Sequence, residues 1–118
     1  MKLIEQMAQA ALKRDSLQLR SLVQDWVRSG RLASELSRPQ TKDARLLSIS
    51  AALAELLAER QGKNPPAWTQ EIGALSEPFF MLEAASTMKR LRVLCETQSP
   101  EPMRKRRLYA PPNFLEFA

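Results

Sequence analysis

A chain of 118 residues, 44% hydrophobic and 26% charged, has a globular composition and enough apolar content to bury a core without metals or disulfides. It contains no histidine and a single cysteine, Cys95; this removes the commonest general base, the Ser-His and Cys-His nucleophile pairs, most zinc sites and any internal disulfide. No apolar run approaches the roughly 18 residues that read as a membrane span, and Glu5 and Gln6 interrupt the apolar start, so no secretory signal is read and a cytoplasmic protein is expected.

The spacing predicts a helix over 2–13, with Leu3, Ile4, Met7, Ala10 and Ala11 on one stripe. Asp15 and Ser16 are N-cap types. They either open a second helix over 16–29 (Leu19, Leu22, Val23, Trp26, Val27) or lie within one long helix. Gly30 stands where a C-terminal glycine is expected. Residues 30–42 read as a connector, since Pro39 disfavours helix before it. Asp43 caps the strongest predicted helix, 44–61, whose stripe is Leu46, Ile49, Leu53, Leu56 and Leu57, and Gly62 ends it. Glu55 and Glu59 on that helix read as a solvated face beside Arg60 and Lys63.

Residues 63–118 are punctuated by proline. Asn64 and Pro66 open a short helix that turns Trp68 and Ile72 to the core and ends at Gly73. Ser76 and Pro78 start a further helical stretch running to 96, with Phe79, Phe80, Leu82, Met88, Leu91 and Leu94 as its apolar surface and a break at Ser86-Thr87. Cys95, at helical spacing from Met88 and Leu91, reads as a buried structural residue. Ser99, Pro100 and Pro102 begin a last short turn. No alternating pattern marks a strand. The expectation is an all-α, compact single-domain bundle of five or six helices over 1–118, with an ordered C-terminal tail. Its expected core is Leu19, Leu22, Trp26, Leu46, Ile49, Leu53, Leu56, Trp68, Leu91 and Leu94.

Charge is uneven. Segment 86–107 holds Lys89, Arg90, Arg92, Arg104, Lys105, Arg106 and Arg107 against Glu96 and Glu101, which accounts for the whole net charge of +5. Such a cluster meets phosphates, an acidic protein surface, or only water. Tyr109 and the nearby phenylalanines add stacking surface for bases. The segment "YAPPNFLEFA" then places Phe114, Leu115 and Phe117 close together. They either fold back over Trp68 or the 79–94 helix, or dock in a partner's groove. No glycine-rich phosphate loop, carboxylate pair or metal-ligand cluster stands out, so no catalytic residue, cofactor or metal is assigned.

The stretches "RDSLQLRSLVQDW", "NPPAWTQEIGALSEPFF" and "SPEPMRKRRLYAPPNFLEFA" resemble a widespread group of small bacterial and phage-associated proteins. In these a "PPAWT" segment is followed by a proline-aromatic segment and by a Ser-Pro-x-Pro, basic, aromatic end. The group is associated with nucleotidyltransferase-like genes in toxin–antitoxin-type operons. The resemblance implies a non-enzymatic, antitoxin-like protein that blocks a nucleotidyltransferase-like enzyme by direct contact. Lys89, Arg90, Arg92, Arg104, Lys105, Arg106, Arg107, Tyr109, Phe114 and Phe117 are the candidate contacts with that partner. The alternative is a nucleic-acid-binding regulator using the same basic cluster.

Overall fold

The computed structural model describes residues 3–115. Among them are five α-helices: α1 (Leu3–Leu12), α2 (Ser16–Ser29), α3 (Ala44–Gln61), α4 (Lys89–Gln98) and α5 (Glu101–Arg104). Short 3-10 turns occupy Ala33–Glu35, Ala67–Glu71 and Glu83–Ser86, and two short strands, β1 (Phe79–Phe80) and β2 (Leu108–Tyr109), complete the chain order. The fold is all-α in class, as the periodicity implies.

The helix boundaries follow from capping chemistry. α1 and α2 are separate helices because the chain turns at Arg14, whose φ is 57°. Asp15 then accepts a hydrogen bond from the Gln18 amide and starts α2. α2 ends on Gly30 with φ 70° and α3 on Gly62 with φ 67°, the left-handed conformation that glycine adopts without a Cβ penalty. Asp43 caps α3 by accepting from the Arg45 and Leu46 amides at 2.9 and 3.3 Å.

α3 is the central element. Every residue from Ser48 to Ala58 is buried, so this helix is covered on all sides rather than along one stripe. α1, α5 and the turns at 33–35 and 67–71 pack around it, and α2 packs on α1. Ala8, Ala10 and Ala11 of α1 and Ala51, Ala52, Ala54 and Ala58 of α3 are buried, and such small side chains let helix backbones approach closely.

Of the expected core, Leu19, Trp26, Leu46, Ile49, Leu53 and Leu56 are buried, whereas Leu22, Trp68, Leu91 and Leu94 are only half-buried. Trp68 lies across the connector rather than plugging the centre, and its Nε1 donates to the Leu36 carbonyl at 2.8 Å. The expected helical stretch from 76 to 96 is also corrected. Its first half is β1 and a 3-10 turn, and only Lys89–Gln98 is α-helix. β1 pairs in parallel with β2, Phe79 opposite Leu108 and Phe80 opposite Tyr109. Phe79 and Leu108 point inward and are buried, while Phe80 and Tyr109 share the outer face and are half-buried.

Phe114 and Leu115 fold back on their own chain. Leu115 is buried, and Phe114 packs against the core. The Arg60 guanidinium, near the end of α3, donates to the carbonyls of both Phe114 and Leu115. Phe114 lies with Ala10, Ala11, Leu19 and Met81 around a cavity of about 140 Å³. The landing place is thus the α1–α2 corner, Met81 and Leu82 of the 79–94 stretch, and the end of α3. Phe117 lies outside the described residues. Among the described residues no helix is long and apolar enough to cross a membrane.

Leu115→Ala should therefore lower stability by about 2–5 kcal/mol, as truncation of a buried leucine does. An unchanged denaturant midpoint would show that the segment adds nothing to the core.

Candidate functional site

The basic run that looks most like a polyanion contact is largely tied inward. Arg106 is only 2% exposed, which corrects its expected role as a partner contact. Its Nη1 and Nη2 reach Glu55 Oε1 and Oε2 at 3.0 and 2.7 Å. The same nitrogens donate to the carbonyls of Pro102 and Thr69, and Nε donates to that of Ile72. All five N–H donors of the guanidinium are thereby occupied. Glu55, read from the sequence as part of a solvated face, is 6% exposed and also receives Lys105 Nζ at 2.7 Å. The reason is its place on α3: the turn at 67–71 and α5 both pack on this helix, and they close over the carboxylate.

The neighbouring cations are exposed but bonded inward as well. Arg104 donates to the Thr97 carbonyl and Arg107 to the Ser76 carbonyl. Burial pushes the Glu55 carboxyl up, but the hydrogen bonds from Arg106 and Lys105 and the Arg106 charge outweigh it and hold the group at about 2. Cys95 is fully buried, as expected. Burial, reinforced by Glu96, raises its thiol above the ordinary value, so it is a poor nucleophile.

The exposed cations that remain gather elsewhere. Lys89, Arg90 and Arg92 lie on α4, where only Cys95 is buried. This helix starts with no side-chain cap and no acid in its first turn. Its cations therefore add to the positive end of the helix dipole instead of offsetting it. Val93 on this helix is 49% exposed, and Met88, the N-cap residue just before it, is 57% exposed. α4 packs on the 83–86 turn and α5 and makes little contact with α3.

Arg92 links α4 to the strand pair. Its Nε donates to Glu96 at 3.0 Å, and its Cζ lies 5.3 Å from the centre of the Phe80 ring. Phe80 and Tyr109 have ring centres 5.4 Å apart, tilted by 41°. Two further arginines approach the same strand. The Cζ atoms of Arg14 and Arg45 lie 4.9 and 5.5 Å from the centre of the Phe79 ring, and Arg14 Nε donates to the Phe80 carbonyl at 3.1 Å. Such contacts hold planar guanidinium groups in a set orientation. Sequence reasoning missed Arg14 and Arg45 because both lie in the part of the chain whose charges balance, and no motif surrounds them. Of the expected contacts, Arg92 and Tyr109 are brought together through Phe80. Phe114 faces the cavity at the α1–α2 corner, which Arg14 also lines. Among the described residues no cluster of three or more histidine, cysteine or carboxylate side chains is placed to hold a metal ion.

The Glu55–Arg106 pair makes a pH-dependent contribution. The folded-state pKa lies below the ordinary value of 4.5, so the stabilisation is complete above that pH and is lost as pH falls toward about 2. Glu55→Gln should remove this dependence and cost about 3–5 kcal/mol, because Arg106 is left charged and unpaired in the interior. The double change Glu55→Met with Arg106→Met should recover much of that loss. A double variant as unstable as the two singles combined would mean that the groups act independently. No family model matches this chain, and no curated protein or solved structure is significantly similar to it.

Proposed function

We propose that this chain is a non-enzymatic partner-binding protein whose protein partner docks on the outward face of α4. The observation that carries the reading is exposed Val93 with Lys89 and Arg90 one turn before it, on a helix that buries only Cys95. An exposed apolar side chain flanked by cations suits a partner with an apolar patch edged by carboxylates. Apolar contact then supplies affinity, and charge supplies association rate and orientation. The antitoxin-like role implied by the sequence resemblance fits this chemistry, since a nucleotidyltransferase-like enzyme offers an acidic cleft to such a face.

The non-enzymatic part of the reading rests on the two groups whose acidity the fold shifts. The Glu55 carboxylate is taken up by Arg106 and Lys105, and the Cys95 thiol is closed off from solvent. Neither is placed to meet a substrate.

The test is to express the tagged chain with the genes that flank its own and measure what is retained. A protein held in fixed ratio, unaffected by nuclease, is expected. Lys89→Glu with Arg90→Glu should slow its association roughly tenfold or more at low salt and leave the melting temperature unchanged. Val93→Glu should speed its dissociation. Retention of nucleic acid alone, or of no protein, would overturn the proposal.

A further inference from the structure

We infer that the cavity at the α1–α2 corner is a binding site for a small, uncharged molecule with a single aromatic ring. The inference stands apart from the protein-partner reading of α4.

The first observation is the size of the cavity and the way its walls are held. It lies where the end of α1, the start of α2, residues 81–83 and Phe114 meet, and its volume is about 140 Å³. A buried apolar cavity of roughly that size admits benzene. Ala10 and Ala11 form the α1 side, where their single methyl groups leave the space open. The other walls are tied to the main chain. Arg60 holds the carbonyls of Phe114 and Leu115, and the Met81 amide donates to the Tyr109 carbonyl at 2.8 Å. The Asp15 amide donates to the Ala10 carbonyl at 2.8 Å and fixes the corner between the two helices. Walls tied in this way resist collapse, and ligand sites are largely pre-formed.

The second observation is the chemistry of the inner end. Ala10, Ala11, Leu19 and Met81 are buried, and Leu82 and Phe114 are half-buried. Burial of an apolar group is favoured against any of these side chains. Two of them favour a ring in particular. Phe114 offers an aromatic partner for tilted or offset contact, and the Met81 thioether is a polarizable partner for a ring edge.

The third observation is the charge at the rim. Arg14, Asp15, Ser16 and Glu83 are the exposed lining residues, so they form the outer end. Both signs of charge are present there. A charged ligand of either sign therefore meets a like charge and also loses hydration on entry. An uncharged hydroxyl meets both donors and acceptors at the same rim. The ring goes inward and the polar substituent outward.

The experiment is a titration followed by carbon-13 methyl NMR of the methionines, with phenol and benzyl alcohol as probes. Cyclohexanol, benzoate and benzylamine are the comparators. The Met81 methyl signal should shift and saturate, while those of Met88 and Met103, which do not line the cavity, stay in place. Phenol should bind roughly two- to tenfold more tightly than cyclohexanol, the margin that ring contacts add. It should also bind more tightly than benzoate or benzylamine. Ala11→Leu fills the cavity and should abolish the shift with no loss of melting temperature. Ser16→Trp changes an exposed rim position, covers the mouth and should abolish the shift as well, so the test does not hang on a core substitution. Four results would each overturn the inference: no saturable shift at Met81, a charged ring bound as well as phenol, binding retained in Ser16→Trp, or tighter binding once residues 116–118 are deleted, which would assign the cavity to that segment.

Discussion

The arrangement of residues 63–115 depends on one buried guanidinium. Arg106 bonds to Glu55 on α3, to Thr69 in the turn at 67–71, to Ile72 after it, and to Pro102 in the preceding helix α5. A planar group with five donors in a fixed fork accepts only one arrangement of its partners. An ion pair of this kind adds little net free energy over a well-packed apolar substitute, but it penalises every arrangement that leaves one charge alone in the interior. The next residue, Arg107, has φ 62°. The chain turns there, and β2 follows beside β1.

This constraint changes the meaning of the protein's charge. Seven cations in segment 86–107 suggest a single basic surface. Folding divides them. Arg104, Lys105, Arg106 and Arg107 all bond to their own chain and draw α5 and β2 onto the helical body. Lys89, Arg90 and Arg92 remain outward on α4, and Arg14 and Arg45 arrive from the charge-balanced part of the sequence to sit with Phe79. Two positive features of different character result. One is exposed Val93 flanked by Lys89 and Arg90 on α4; the other is a set of guanidinium groups oriented by aromatic rings.

Local chemistry was legible in the sequence where it acts between near neighbours. Asp15, Asp43, Gly30 and Gly62 each mark a helix end, and all five residues of the α3 stripe are buried. The burial of Cys95 also follows from its spacing. What sequence could not give was pairing across distance. Glu55 and Arg106 are 51 positions apart, and the acid sits beside Arg60 and Lys63, which makes a solvated face the natural reading. β1 and β2 are two residues each, too short for alternation to register. Trp68 looks central because it is large and follows two prolines. Its indole N–H needs an acceptor, and the Leu36 carbonyl supplies one away from the centre.

The sealed thiol on α4 has a consequence for measurement. Cys95 is the one cysteine in the sequence, and it lies on a helix with little hold on α3. A buried thiol reacts with an alkylating reagent only after local opening exposes it, and the fraction of time spent open sets the rate. Ser99, whose hydroxyl bridges the Cys95 carbonyl and the backbone of Ala110, adds a polar tie at the same end of the helix. The protein thus carries a built-in clock for the detachment of α4. Alkylation kinetics read that clock without an added label, and any occupant that braces the helix makes it run slower.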